Sequence, residues 1–248
     1  MSNRILEILK KYSFLILILT LVSSCNEEVK IDFTEQNIES SEVTEISINL
    51  PVAEGTNEIA DRINKTINKY SVNQMNLGED ILTNISIDDA VARFNYEFES
   101  FKKDFPDAAQ KWEAFIDGEV TYRSPQVISI AINSYLDTGG AHGNTNVRFF
   151  NFNPQTGKLL TKKDLISNSE GLSKAIEIHL KEKIEATSKN QPAEDLFFGK
   201  GFQLPESIGY SDEGIIILYN PYEIASYAQG IIEFRIPFEE VSSFLTVN

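Results

Sequence analysis

Between Glu45 and Pro51 the apolar residues Ile46, Ile48 and Leu50 alternate with the polar Ser47 and Asn49. That period of two predicts a strand with one buried face. Ile59, Ile63, Ile67 and Tyr70 then recur at helical spacing and predict an amphipathic helix from about Asn57 to Val72. Ser86, with Asp89 three residues on, has the form of a helix cap. The helix it opens carries Phe94, Phe98, Phe101 and Phe105 on one face and stops at Pro106. Such a stripe could line a ligand groove, but core packing is the favoured reading.

Three β-rich segments follow at Glu113–Ser124, Gln126–Leu136 and Val147–Asn153. Their short connections favour an antiparallel meander, because parallel crossovers need a dozen or more residues. Asn153-Pro154-Gln155-Thr156-Gly157 is a turn, and Thr161 with Asp164 can start a short helix. Gly171 to Ser188 predicts a longer helix with Leu172, Ile176, His179, Leu180 and Ile184 on one side. A hairpin over Glu206–Tyr219 turns near Ser211-Asp212-Glu213-Gly214, and a strand, Gly230–Ile236, precedes a short helix after Pro237. The pattern is that of an α+β fold, with antiparallel sheets packed against a few amphipathic helices.

The first 24 residues read differently. A basic start ends at Lys11, and the nearly apolar run Tyr12–Val22 is too short for a membrane-spanning helix of about 20 residues but suits a signal peptide. Val22-Ser23-Ser24-Cys25 resembles the lipobox of bacterial lipoproteins, which places lipid on Cys25, the only cysteine. Residues 25–44 are polar and acidic and read as a flexible tether. Asn26-Glu27-Glu28 resembles an export signal for the outer membrane, so the expected location is the cell envelope, lipid-anchored, periplasmic or surface-exposed.

Charge narrows the partners. The 248 residues carry 37 acids and 22 Lys and Arg, a net of −15. Removing the leader's three bases and one acid leaves 36 acids against 19 bases, a net of −17. Nucleic acid is a poor partner for such a chain, because phosphate binding relies on clustered bases. Cationic proteins, metal ions or neutral glycans suit it better.

Candidate chemistry is sparse. His142 sits in a Gly-rich turn with Gly139 and Gly140, near Asp137 and Asn144. These could hold a ligand, and His142 with Asp137 is the candidate catalytic pair. His179 lies in a helix and reads as packed or at the surface. Asp137, His142 and Asn144 have no recognised metal-site spacing, so no metal or cofactor is expected. Glu233, between Ile232 and Phe234, is expected to face solvent. Tyr219, Tyr222 and Tyr227 cluster within nine residues and form a second candidate binding surface.

Several ordered motifs resemble a known family pair. They are Tyr135, Gly139 to Asn144, Asn151-Phe152-Asn153, Thr156-Gly157-Lys158 and Thr161 to Leu165, then Tyr219 to Ala225, Tyr227 to Gly230 and Phe234 to Phe238. Together they resemble the paired domains DUF4163, over residues 45–140, and DUF3298, over 141–248. The resemblance implies an extracytoplasmic module of the kind found in a lysozyme-sensing anti-sigma factor and ahead of the catalytic domain of a peptidoglycan deacetylase. The chain is expected to lack the spanning helix of the first and the catalytic domain of the second. The favoured function is a lipid-anchored binding or sensing module for a cationic envelope protein, such as a lysozyme-like enzyme, or for cell-wall glycan. The alternative is a hydrolase of envelope polymers.

Overall fold

The computed structural model describes residues 31–55, 57–187 and 193–247. The leader and Cys25 lie outside them. Five strands form one sheet in chain order: β1 (Asp32–Ser40), β2 (Glu45–Glu54), β3 (Glu113–Arg123), β4 (Ile128–Asp137) and β5 (Asn144–Phe152). Neighbours are antiparallel except β2 and β3, which run parallel. The exception follows from what joins them, since α1 (Asn57–Gln74) and α2 (Ile87–Asp104) make the crossover that a parallel pair requires. The expected meander therefore covers β3 to β5, and the sheet as a whole is mixed.

The alternation read in β2 puts Ile46, Ile48 and Leu50 into a core with Ile63 and Ile67 of α1 and Phe94 of α2. Ser86 caps α2: its Oγ accepts the Asp89 N–H at 3.0 Å, and the Asp89 carboxylate accepts the Ser86 N–H at 3.4 Å. The aromatic stripe is core, as favoured. Phe94, Phe98 and Phe101 gather around Trp112 with ring centroids 5.3–5.5 Å away, while Phe105, past the helix end, is exposed.

Two boundaries differ from expectation. The span read as a tether, 25–44, contains β1, which pairs with β2 along Asp32–Ser40. Its side chains are mostly polar and exposed, so composition pointed to a spacer, but backbone pairing with β2 and the half-buried Phe33 and Ile38 order it. The division expected at 140/141 falls between β4 and β5, which pair from Leu136–Asn144 to Ile128–Phe152. The sheets divide after Phe152 instead.

The second sheet is an antiparallel β6 (Ile208–Ser211), β7 (Gly214–Tyr219) and β8 (Ile232–Pro237). Ser211 pairs with Gly214 across the expected hairpin turn. Against it packs α4 (Ser169–Thr187), entered through the short α3 (Lys162–Leu165), with the short α5 (Phe238–Val241) following β8. Leu172, Ile176, Leu180 and Ile184 bury one face of α4 on Ile215, Ile217 and Ile236. A smaller cluster of Ala131, Phe149, Ile216 and Leu218 joins the two sheets. Gly209 is required there, since a Cβ would run into the Phe149 ring. Polar links flank it: Ser129 Oγ accepts the Tyr210 N–H at 3.2 Å, and Asn151 Nδ2 donates to the Ile208 carbonyl at 2.8 Å.

Candidate functional site

The loop between β4 and β5 is held by its own backbone. Asp137 accepts the Gly139 N–H at 2.8 Å and the Tyr135 hydroxyl at 3.3 Å, and Gly139 takes the left-handed backbone (φ 85°) that glycine tolerates. Gly143 is buried beneath the Tyr135 ring, which leaves no room for a Cβ, and Tyr135 stacks on Phe115 with centroids 5.9 Å apart. His142 is consequently turned outward.

The facing loop comes from the end of β7. The Asn220 carboxamide clamps β5 by accepting the Val147 N–H at 2.7 Å and donating to its carbonyl at 2.9 Å. The Glu223 carboxylate accepts backbone N–H groups of Asn220 at 2.9 Å and Glu206 at 2.6 Å. Burial pushes the Glu223 carboxyl above its usual range, against the pull of those two bonds. Between these anchors Tyr222 adopts φ 67°, a conformation costing a non-glycine residue about 1–2 kcal/mol, and its ring is 57% exposed.

The two loops meet through aromatic rings. His142 stacks on Tyr227 with centroids 3.7 Å apart and planes 17° apart. Gly143 O accepts the Tyr227 hydroxyl at 3.1 Å and lies 2.9 Å from His142 Nδ1. The Tyr222 hydroxyl stands 3.5 Å from His142 Nε2, and its ring is 5.8 Å from that of Tyr227. The result is an outward-facing aromatic surface made of His142, Tyr222 and Tyr227.

Of the residues singled out in the sequence, Gly139 and Gly140 are exposed positions of the β4–β5 connection and Asn144 is the exposed first residue of β5. Tyr219 does not join it. It is fully buried in the second core, donates to the Gln203 carbonyl at 2.8 Å, and burial raises its phenol. On an alternating strand it points inward while Asn220 and Tyr222 leave the sheet, which sequence proximity alone could not separate. Asp137 and His142 are not coupled: the carboxylate is engaged by Gly139 and Tyr135, and the imidazole by Gly143 and Tyr222. His179 instead meets Glu240 at 3.0 Å on the second half, and Glu233 faces solvent as expected. Among the described residues, no three His, Cys, Asp or Glu side chains gather as a metal site would need. Asn220 and Glu223, which fix the surface, belong to the Tyr219 to Ala225 motif, but their bonds to Val147 and Glu206 join parts of the chain that sequence spacing does not connect. An Asn-Pro pair leaving a strand was their visible signal.

The comparisons with known proteins divide the chain in a similar way. Residues 160–239 match DUF3298, a protein family of unknown function. Residues 38–145 match the family described as Deacetylase PdaC, where the resemblance expected was to DUF4163. The aromatic surface draws His142 from the stretch that matches Deacetylase PdaC and Tyr222 and Tyr227 from the stretch that matches DUF3298. Two crystal structures of DUF3298 family proteins share the fold, one from Pseudomonas aeruginosa PAO1 and one from Bacteroides fragilis NCTC 9343. Each is 19% identical with a TM-score of 0.58; the first covers 88% of this chain, the second 89%, and each match spans 94% of the other protein. No curated protein matches the chain.

Proposed function

We propose that this protein is an envelope module that holds a macromolecular partner on the His142, Tyr222 and Tyr227 surface. The observation that carries the reading is Tyr222, an exposed ring kept on a strained, left-handed backbone beside a stacked His–Tyr pair. Strain of this kind persists where the surrounding structure enforces it, and it concentrates at ligand-binding sites. Tyrosine supplies large rigid contact area with a polar tip. With 37 acids against 22 Lys and Arg, a basic envelope protein of the lysozyme kind is the favoured partner, and cell-wall glycan the other. Attachment through lipid on Cys25 belongs to the same reading and rests on the Val22-Ser23-Ser24-Cys25 sequence.

The hydrolase reading draws support from the Deacetylase PdaC match, whose description applies to that family. The separate engagement of Asp137 and His142 counts against a proton relay here. One panel separates the two readings. Against basic envelope proteins, rising salt should slow association more than it hastens dissociation. Tyr222→Ala should raise the dissociation rate, a loss of about 1–3 kcal/mol for a buried interface anchor. Product release from peptidoglycan, abolished in His142→Ala while binding persists, would overturn the choice, and so would absence of binding to any basic protein or glycan tested. Cys25→Ala should abolish metabolic lipid labelling; labelling that survives rules out that anchor.

A further inference from the structure

The five-stranded sheet ends differently on its two sides. The edge of β5 is occupied from Val147 to Asn151. Asn220 takes the Val147 N–H and carbonyl, Ser207 Oγ accepts the Phe149 N–H at 3.0 Å, and the Leu160 N–H donates to the Asn151 carbonyl at 2.7 Å. The edge of β1 is bare. Among the described residues, β2 supplies every hydrogen bond to the main chain of Asp32–Ser40. Every second residue of β1 therefore turns its N–H and carbonyl outward without a protein partner. Sheets commonly guard such an edge with a bulge, a proline or lysines. β1 has none of these: its register with β2 is unbroken over nine residues, and the strand contains no Pro, Lys or Arg.

The side chains of β1 select what can be added to it. Asp32, Glu35 and Glu39 give the strand three acids and no base, so two copies paired edge to edge would set acid against acid. A basic strand meets the opposite situation. Glu35 and Glu39, four residues apart, point to one face of the sheet, where the Glu39 carboxylate accepts the Ser47 hydroxyl at 2.7 Å. Ile38 points to the other face, paired with Ile48 and half-buried against the first core.

We propose that the β1 edge takes an added strand from a basic, extended segment of a protein partner. The main chain of that segment bonds the open side of β1, and two Lys or Arg four residues apart lie beside Glu35 and Glu39. A β-branched residue on the other face extends the apolar surface at Ile38. The aromatic surface is anchored on β5, at the opposite edge of the sheet, so the two sites are separate and either can bind without the other.

The test is an NMR titration of the ¹⁵N-labelled full chain with the peptide acetyl-Thr-Lys-Val-Thr-Val-Lys-Thr-amide, whose palindromic sequence fits either strand direction. Saturable shifts are expected along Asp32–Ser40, with amide exchange slowed at alternate residues. N-methylation at the central threonine or at the valine after it blocks one N–H on each side of the added strand. The peptide whose blocked N–H faces β1 should bind about fivefold more weakly or worse, and the other close to the parent. Replacing both lysines by glutamate should weaken binding about tenfold, and the double variant Glu35→Lys, Glu39→Lys should reverse that preference. Glu39→Lys also removes the Ser47 bond, so Glu35→Lys alone, at an exposed position, keeps the test decisive if the double variant does not fold. Equal binding of both N-methylated peptides would overturn strand addition, and undiminished binding of the glutamate peptide would overturn the basic partner. Protection of β1 amides by rising protein concentration alone would give the edge to a second copy. That result, or no saturable shift in β1 at millimolar peptide, would overturn the proposal.

Discussion

Glu223 and Asp164 are both glutamate- or aspartate-type acids accepting hydrogen bonds, yet they respond oppositely to pH. Asp164 accepts the Thr161 hydroxyl at 2.7 Å and the Thr161 N–H at 2.8 Å at the start of α3, and those bonds hold its carboxyl below the usual 3.8. Its contribution to stability is present above the unfolded value and is lost as pH falls through the folded one. Glu223 is shifted upward from 4.5, because burial outweighs its two backbone N–H bonds. A raised carboxyl makes the folded state bind the proton more readily. Its contribution is therefore greatest below the unfolded value and is lost as pH rises through the folded one. Glu223→Gln, neutral throughout, should flatten that part of the stability curve above about pH 4.5. Urea midpoints measured at several pH values would check this, and an unchanged decline would show that another group titrates there.

At the scale of elements, hydrophobic periodicity located β2, α2 and α4 because each buries one repeating face, while the β6–β7 hairpin was legible from its turn, since β7 is buried on both faces. It failed on β1, whose residues are mostly polar. That strand covers β2, and removing it would open the outer edge of a strand carrying Ile46, Ile48 and Leu50. Unpaired strand edges recruit other chains. A chain beginning at Ser41 should therefore unfold at lower urea and self-associate with rising concentration in sedimentation velocity. A monomer of unchanged stability would show β1 to be dispensable.

For the whole molecule, the two sheets are coupled through the cluster around Phe149, and the candidate surface depends on that coupling because its rings come from both sides. Trp112, the only tryptophan, reports on the first core, while the Ile217 amide in β7 reports on the second. In the native protein, tryptophan fluorescence and amide exchange at Ile217 should follow one transition. Phe149→Ala removes a buried ring from between the sheets, at a cost of about 3–5 kcal/mol, and should separate the two. Coincident transitions in the variant would mean that the polar links at Ser129 and Asn151 suffice to join them.

The sequence by itself determined the α+β class, most strands and helices, the aromatic core of α2, and a His142 loop adjoining glycine-specific turns. Those features depend on local spacing and on backbone angles that few residues can adopt. Tertiary structure decided what local spacing cannot encode. It paired β2 with β3 in parallel across two helices, gave polar β1 a partner, and sent Tyr219 inward while Tyr222 and Tyr227 met His142, some 80 residues away in the chain. Such contacts depend on which surfaces pack together once both cores are formed, and the hydrogen bonds of Asn220 and Glu223 that fix them exist only in the folded arrangement.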